Sequence, residues 1–210
     1  APMRRGRRAA LARRHRGHRM PATARPFPAL LRAVLEQKVT GAEAYRAYAA
    51  VVRHFRAPAP GPLPGLLLPP DAADVAATPY WVLHRLGVEQ RRAQTLSRAA
   101  AAADRLARCA DAAEATARLT ALPGIGPWTA AEVVRTVHGD PDAVSVGDYH
   151  LPHLVTWALA GQRRGDDARM LALLAPFAGH RGRVCLLLAA GGHGPPRRGP
   201  RAAVRSFATF

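Results

Sequence analysis

The chain has 210 residues, 49% of them hydrophobic, and its 31 Lys and Arg against 14 Asp and Glu give a formal net charge of +17. That length suits one domain, or one domain with tails, and an Ala-rich apolar half can build a sizeable core. No apolar run approaches the ~20 residues that span a bilayer, and no segment joins a charged start, an apolar centre and a cleavage site as a secretory signal does. No membrane partner is therefore expected. The expected compartment is the cytoplasm, with the nucleoid as the place of work in a bacterium.

Charge is distributed unevenly. Residues 1–20 carry eight Arg and no acid, and residues 191–210 carry four Arg and no acid, which leaves five of the seventeen positive charges on the body. Basic ends attract polyanions with little sequence preference; an Arg-biased composition, with a single Lys in the chain, gives the same pattern without function. Residues 1–25 show no apolar periodicity and read as a disordered basic arm, with an organellar presequence as the alternative. The chain opens on Ala, which leaves an upstream portion open. Residues 26–190 read as a helical domain and residues 191–210 as a Gly/Pro/Arg tail.

Within the body, Pro28–Glu36 carries Leu30, Leu31, Val34 and Leu35 at helical spacing, and Gln37-Lys38-Val39 breaks it. Thr40-Gly41-Ala42-Glu43 is a capping box for a helix through Phe55. Six prolines between residues 57 and 70 predict an extended loop. A short helix over Asp71–Ala76 follows, then one capped by Thr78-Pro79 that carries Trp81, Leu83 and Leu86 and stops at Gly87. Glu89–Arg108 reads as one long Ala/Arg helix, and Asp111–Leu122 as the next. Beyond residue 122 come helices from Pro127, from Asp148, over Asp166–Phe177 and over Arg181–Ala189. No β-alternation long enough for a sheet occurs, nor any repeat. The expected fold is all-α, about ten helices in two lobes with a cleft.

Chemistry concentrates between Leu119 and Leu151. Pro123-Gly124-Ile125-Gly126 turns the chain sharply after one helix, the glycines permitting positive φ and leaving no Cβ against whatever approaches. Pro127 then opens the next helix, where a missing N–H costs nothing, and the unpaired amides of that start suit a phosphate. Twenty residues past Trp128, Asp148 stands before the apolar run Leu151, Leu154, Val155, Ala158, Leu159, and so reads as the N-cap of a helix starting at Tyr149. Cys109 and Cys185 are the only cysteines, too few for the four ligands of an iron–sulfur cluster, and no paired Cys/His spacing for zinc is present.

Leu122-Pro123-Gly124-Ile125-Gly126-Pro127-Trp128-Thr129-Ala130, followed at this spacing by Val144-Ser145-Val146-Gly147-Asp148-Tyr149, resembles the helix–hairpin–helix DNA glycosylases, the superfamily with a Gly/Pro-rich loop and a catalytic Asp. The likeness covers roughly residues 27–190, and within the superfamily it is to 3-methyladenine DNA glycosylase II. It implies that Asp148 is catalytic and that Pro123, Gly124, Ile125, Gly126 and Thr129 grip double-stranded DNA. It implies that Gln37 and Lys38 lie in the loop that fills the gap left by a flipped base, where a Gln at a helix end is otherwise unremarkable. Trp128, Tyr149 and Glu132 would shape the base pocket. The alternatives are a core Trp128, a packing Tyr149 and a surface Glu132 near Arg135. As in relatives, the carbonyls of Thr120, Leu122 and Gly124 can hold a monovalent cation, Na+ or K+; no other cofactor is expected, and the cluster of relatives such as endonuclease III is absent.

Members that also nick the strand carry Lys where this chain has Trp128, because a Schiff base needs an amine. Lys38 lies in another loop. The expectation is thus a monomeric, monofunctional DNA glycosylase of base-excision repair, hydrolysing the N-glycosidic bond of damaged bases, alkylated purines first. The alternatives are a non-catalytic helix–hairpin–helix DNA-binding protein and an inactive fragment of a glycosylase.

Overall fold

A computed structural model describes residues 5–192 and 194–196. Among these residues there are twelve α-helices, one 3-10 turn and no strand: α1 Arg5–Arg14, α2 Pro26–Leu35, α3 Gly41–Phe55, α4 Ala72–Ala77, α5 Tyr80–Arg85, α6 Gln90–Ala101, α7 Ala103–Ala107, α8 Ala112–Thr120, α9 Pro127–Val137, α10 Leu151–Ala160, α11 Asp167–Leu174 and α12 Arg181–Ala190, with the 3-10 turn Ala175–Phe177 after α11. The fold is all-α. Among the described residues no single helix is long and apolar enough to cross a membrane. Two compact units form, residues 24–129 and residues 5–23 with 130–196, and the division falls within α9 after Thr129.

In the unit of residues 24–129, α6 lies against α2, α4 and α5. It can do so because its inner face is Ala93, Leu96, Ala99 and Ala100, all buried, and Ala lets helix axes approach closely. Leu30, Leu31, Val34 and Leu35 of α2, Val51 of α3, Val75 of α4 and Leu83 of α5 complete this core. The capping box of α3 is formed: Thr40 Oγ1 accepts from Glu43 N at 3.3 Å, and Glu43 Oε2 accepts from Thr40 N at 2.8 Å. At the start of α8, Asp111 Oδ1 accepts from Glu114 N at 2.8 Å while Glu114 Oε2 accepts from Ala110 N at 2.7 Å.

Two expectations are corrected here. The single helix over Glu89–Arg108 breaks at Ala102 (φ −94°, ψ −1°) into α6 and α7, and α7 turns onto α2 and α8. A run of Ala has no side chain to mark such a break, and the burial of Ala102 and Ala103 decides it. On α5, Leu83 is buried and Trp81 is 57% exposed. The proline loop is not simply extended, since Ala59 N donates to Leu66 O at 2.9 Å and Leu68 N to Ala57 O at 2.8 Å around one antiparallel bridge, Pro58 to Leu67.

In the second unit, Val155 and Ala158 of α10, Met170 and Leu174 of α11, and Cys185 and Leu188 of α12 form the core. Leu11 joins them, which corrects the reading of residues 1–25 as disordered: Arg5–Arg14 is helix α1, packed on α12. Ala and Arg are strong helix formers, and one leucine suffices to anchor ten residues that lack any apolar stripe. The tail expected over 191–210 lies largely outside the described residues, as do residues 1–4.

Candidate nucleic-acid and catalytic site

The hairpin between α8 and α9 is built by local turns and long-range side-chain bonds. Leu122 N donates to Leu119 O at 3.0 Å and Ile125 N to Leu122 O at 3.0 Å, closing the turn, with Gly124 at φ +94°. Gly124 is fixed as glycine twice over, because a Cβ there would stand 2.1 Å from Thr95 Oγ1. Ile125 is buried and anchors the turn, while Pro123 and Gly124 are exposed. Arg98 Nη1 donates to Pro123 O at 3.2 Å. Pro127 occupies the first position of α9, and Trp128 beside it is half-buried.

Gln37 and Thr129 take places different from those expected. The Gln37 amide donates through Nε2 to Gly124 O at 3.0 Å and to Thr129 Oγ1 at 2.8 Å, so it ties the α2–α3 loop to the hairpin. Its place as a gap filler would cost both bonds. Thr129 is 2% exposed, and its hydroxyl serves this bond from inside. Lys38, at φ +53°, is exposed at the neighbouring position. Behind the loop, Arg92 Nη1 donates to Leu35 O at 2.9 Å at the C-terminus of α2; burial pulls the Arg92 guanidinium below its ordinary pKa, with Glu89 and Glu43 opposing. Thr120 ends α8, exposed, its hydroxyl turned back to Thr116 O at 2.9 Å.

The Asp148 segment belongs to the other unit. Asp148 Oδ1 accepts from His150 N at 2.7 Å and from Leu151 N at 2.8 Å. It takes two amides at the start of α10, but it is not the expected N-cap: the helix begins at Leu151 and not at Tyr149, and His150 is its N-cap, two residues past Asp148. The two amides hold the carboxylate at one orientation, at the positive end of a helix dipole. Tyr149 is 80% exposed, its ring edge-on to His150 and His153.

The chain leading to Asp148 is clamped on several sides. Ser145, 2% exposed, donates through Oγ to Glu132 Oε1 at 2.5 Å and accepts from Arg135 Nη1 at 3.1 Å, while Arg135 Nη2 pairs with Glu132 Oε2. Both Glu132 oxygens are thereby engaged within the protein, and Glu132 is near Arg135 as the alternative reading has it, but with its side chain only 17% exposed it is not a surface residue. Asp142 receives Arg181 N and Nε on Oδ1, both at 2.9 Å, and pairs through Oδ2 with Arg181 Nη2. The Arg181 guanidinium holds the Asp142 carboxyl down at about 2. Gly182 lies so close that a Cβ would meet Ala143 O at 2.2 Å. Gly147 N donates to Asp167 Oδ2 at 3.0 Å. Ser145 lies in the motif of residues 144–149, which gives it no role, and neither Arg181 nor Asp167 has a motif spacing that would have singled it out.

No protein-family model matches this chain, and neither does any curated protein sequence. Solved structures do. The chain is similar to a 3-methyladenine DNA-glycosylase from Archaeoglobus fulgidus, with a TM-score of 0.69 and 21% identity over 88% of this chain and 64% of that one. It is similar to a DNA-3-methyladenine glycosidase from Bacillus halodurans, with a TM-score of 0.62 and 23% identity over 83% and 79% of the two chains. An 8-oxoguanine glycosylase/lyase from Clostridium acetobutylicum, in complex with double-stranded DNA, matches with a TM-score of 0.68 and 13% identity over 88% and 66%. This chain thus spans a little under two thirds of the archaeal protein's length. It has the fold of these solved structures over 83–88% of its own length.

Proposed function

We propose that this chain is a DNA-repair glycosylase acting on double-stranded DNA, monofunctional, with alkylated purines as its substrates. The observation that carries the reading is Asp148, a carboxylate fixed by two amides at the end of a segment clamped by Glu132, Arg135, Arg181 and Asp167, in a chain with the glycosylase fold. A side chain needed only as a helix cap does not require its approach to be held from three elements. The two 3-methyladenine glycosylases among the similar structures support the substrate class, and so does Trp128.

Breaking the bond between C1′ and a base nitrogen passes through an oxocarbenium-like state. The base is first rotated out of the duplex. Asp148 stabilises the developing positive charge at C1′ and orients the attacking water; its fixed Oδ1 means that little reorganisation accompanies the step. Trp128 takes the face of the flipped base, and cation–π attraction favours a base made positive by alkylation. Such a base leaves without being protonated, so a single carboxylate suffices. The exposed Pro123-Gly124 turn and the start of α9 take the DNA backbone through amides that have no intrahelical acceptor. Lys38 reaches the duplex from the α2–α3 loop.

The carbonyl oxygens of Thr120, Leu122 and Gly124 are the neutral, hard donors that Na+ or K+ takes. Leu122 O already accepts from Ile125 N and Gly124 O from Gln37, and each keeps a second lone pair, so the donors fit. Bound there, the ion would supply positive charge to a DNA phosphate.

Asp148→Asn tests the assignment. Asn caps about as well as Asp, so thermal unfolding should stay nearly unchanged and duplex affinity should hold or tighten slightly. Single-turnover release of alkylated bases, identified by mass, should fall about 10²–10³-fold, toward the low end because the leaving groups are good. Base release at the wild-type rate would reduce Asp148 to a cap and sink the mechanism. Duplex binding without base release by the wild type would favour a DNA-binding role instead.

A further inference from the structure

Residues 143–147, the five before Asp148, have no regular structure of their own. Val146 N donates to Val144 O at 2.8 Å, a three-residue turn, and Asp148 N reaches back to Ser145 O at 3.3 Å. Between them Gly147 sits at φ +90°, with nothing within 4 Å of the place a Cβ would take. A tight turn that ends on an unconfined glycine is soft, because glycine reaches φ of either sign at little cost. The bonds from Ser145 to Glu132 and Arg135 act two residues upstream of that soft point, and the α10 amides act on Asp148 beyond it. Asp167 acts on Gly147 itself, accepting its N–H through Oδ2 at 3.0 Å.

Asp167, an acid in the first turn of α11, gains from the helix dipole, but helix stability does not account for how it is placed. It is the first residue of α11, yet that helix is already capped by Asp166, whose Oδ1 accepts from Arg169 N at 2.8 Å. The other Asp167 oxygen, Oδ1, is buried and has no hydrogen-bond partner among the described residues. A buried oxygen left in that condition costs stability. The compensating contact that the structure shows is the bond to the Gly147 amide.

We propose that Asp167 is a positioning residue: by accepting the Gly147 N–H it fixes the turn that presents the next residue, Asp148, and so sets where that carboxylate stands. The inference rests on the reading of Asp148 as the group that acts at C1′. It adds a residue twenty positions downstream of Gly147, on another helix, to the machinery of that reaction. Small misplacements of a reacting group are costly, about 10²-fold for ~1 Å, so a soft turn needs such a restraint.

Asp167→Ala and Asp167→Leu remove the acceptor, and Asp167→Asn keeps an oxygen that can accept the same N–H. Asp166→Ala is the control, since it removes the true cap of the same helix. Four quantities are measured on the full chain: the melting temperature, duplex affinity, single-turnover release of alkylated bases at saturating enzyme, and the Gly147 amide proton shift. Asp167→Ala and Asp167→Leu should release bases at least about tenfold more slowly, bind duplex DNA as the wild type does, and melt no lower. Their Gly147 amide proton should move upfield as its hydrogen bond is lost. Asp167→Asn should restore most of the rate, and Asp166→Ala should lower the melting temperature while leaving the rate alone.

Wild-type rates in Asp167→Ala or Asp167→Leu would overturn the proposal. So would an Asn variant as slow as Ala, which would make the charge and not the hydrogen bond responsible. Failure of both acceptor-free variants to fold would make Asp167 a structural residue and overturn it equally. A wild type that releases no base would refute the glycosylase reading and not this geometry, which an unshifted Gly147 amide in Asp167→Ala would refute by itself.

Discussion

Gly124→Ala puts the hairpin geometry to its sharpest test. An added Cβ would stand 2.1 Å from Thr95 Oγ1, 3.0 Å from Thr95 Cγ2 and 3.1 Å from Thr95 Cβ, on a backbone at φ +94°. The left-handed conformation alone costs a non-glycine residue about 1–2 kcal/mol. Thr95 is 4% exposed and donates to Arg91 O at 2.9 Å, so it can yield only by breaking that bond or by pushing α6 back. Overpacking of this kind costs a further ~1–3 kcal/mol. The expected loss is therefore about 2–5 kcal/mol, a large share of the ~5–15 kcal/mol that holds a domain together. Gly126→Ala is the matched control, with ordinary φ and nothing within 4 Å of its Cβ position. It should stay within about 0.5 kcal/mol of the wild type. Urea unfolding of the two variants measures the difference. Adding Thr95→Ala to Gly124→Ala removes the atoms at 2.1 and 3.0 Å, and the double variant should recover about 1–2 kcal/mol relative to additivity. Equal stability of Gly124→Ala and Gly126→Ala would refute the reasoning, and so would strict additivity with Thr95→Ala.

Two further outcomes follow from the charges. The Asp142 carboxyl sits near 2 in the folded chain and near 4 when unfolded, so its pairing with Arg181 stabilises above pH 4 and is lost as pH falls from about 4 through about 2. Asp142→Asn should lower the melting temperature at pH 7, and the gap from the wild type should close toward pH 2; a gap that is constant with pH would remove Arg181 as the cause. Borohydride treatment of wild-type protein on DNA with an abasic site should trap no adduct, because Trp128 offers no amine. An adduct that disappears in Lys38→Ala would make Lys38 a nucleophile and the enzyme a lyase.

What could be read from the sequence is what is local. The Thr40–Glu43 box, the Gly124 turn, Pro127 at a helix start and Asp148 taking amides at the mouth of α10 each involve residues within four positions of one another, where spacing is geometry. The apolar stripe of α2 was equally plain, because four leucines and valines at helical spacing leave no other face to bury. The misreadings have the opposite character. Leu11 has no apolar neighbour at helical spacing, and the residues that share its core, such as Met170, Leu174 and Cys185, are more than 150 residues away. Ala102 gave no sign of the break between α6 and α7 because alanine is as content in a helix as at its end. Glu132 could be placed on a helix face, but not given its partner, since Ser145 carries no signal of its own.

The same distinction separates the parts of the site. The groups that would do chemistry or touch DNA sit in short local motifs: the hairpin turn, and Asp148 with its two amides. The groups that hold those motifs in place come from far along the chain, Gln37 to Gly124 across 87 positions, Arg92 to Leu35 across 57, Arg181 to Asp142 across 39 and Asp167 to Gly147 across 20. Each is a side chain bonded to a loop or a helix end whose backbone would otherwise lack a partner or wander. A loop so tied can be exposed and still be stiff, which is what a charge-stabilising carboxylate requires. It follows that substitutions at Gln37, Asp142 or Asp167 should impair function while leaving every motif residue in place, and a search for the motifs alone would score such a chain as intact.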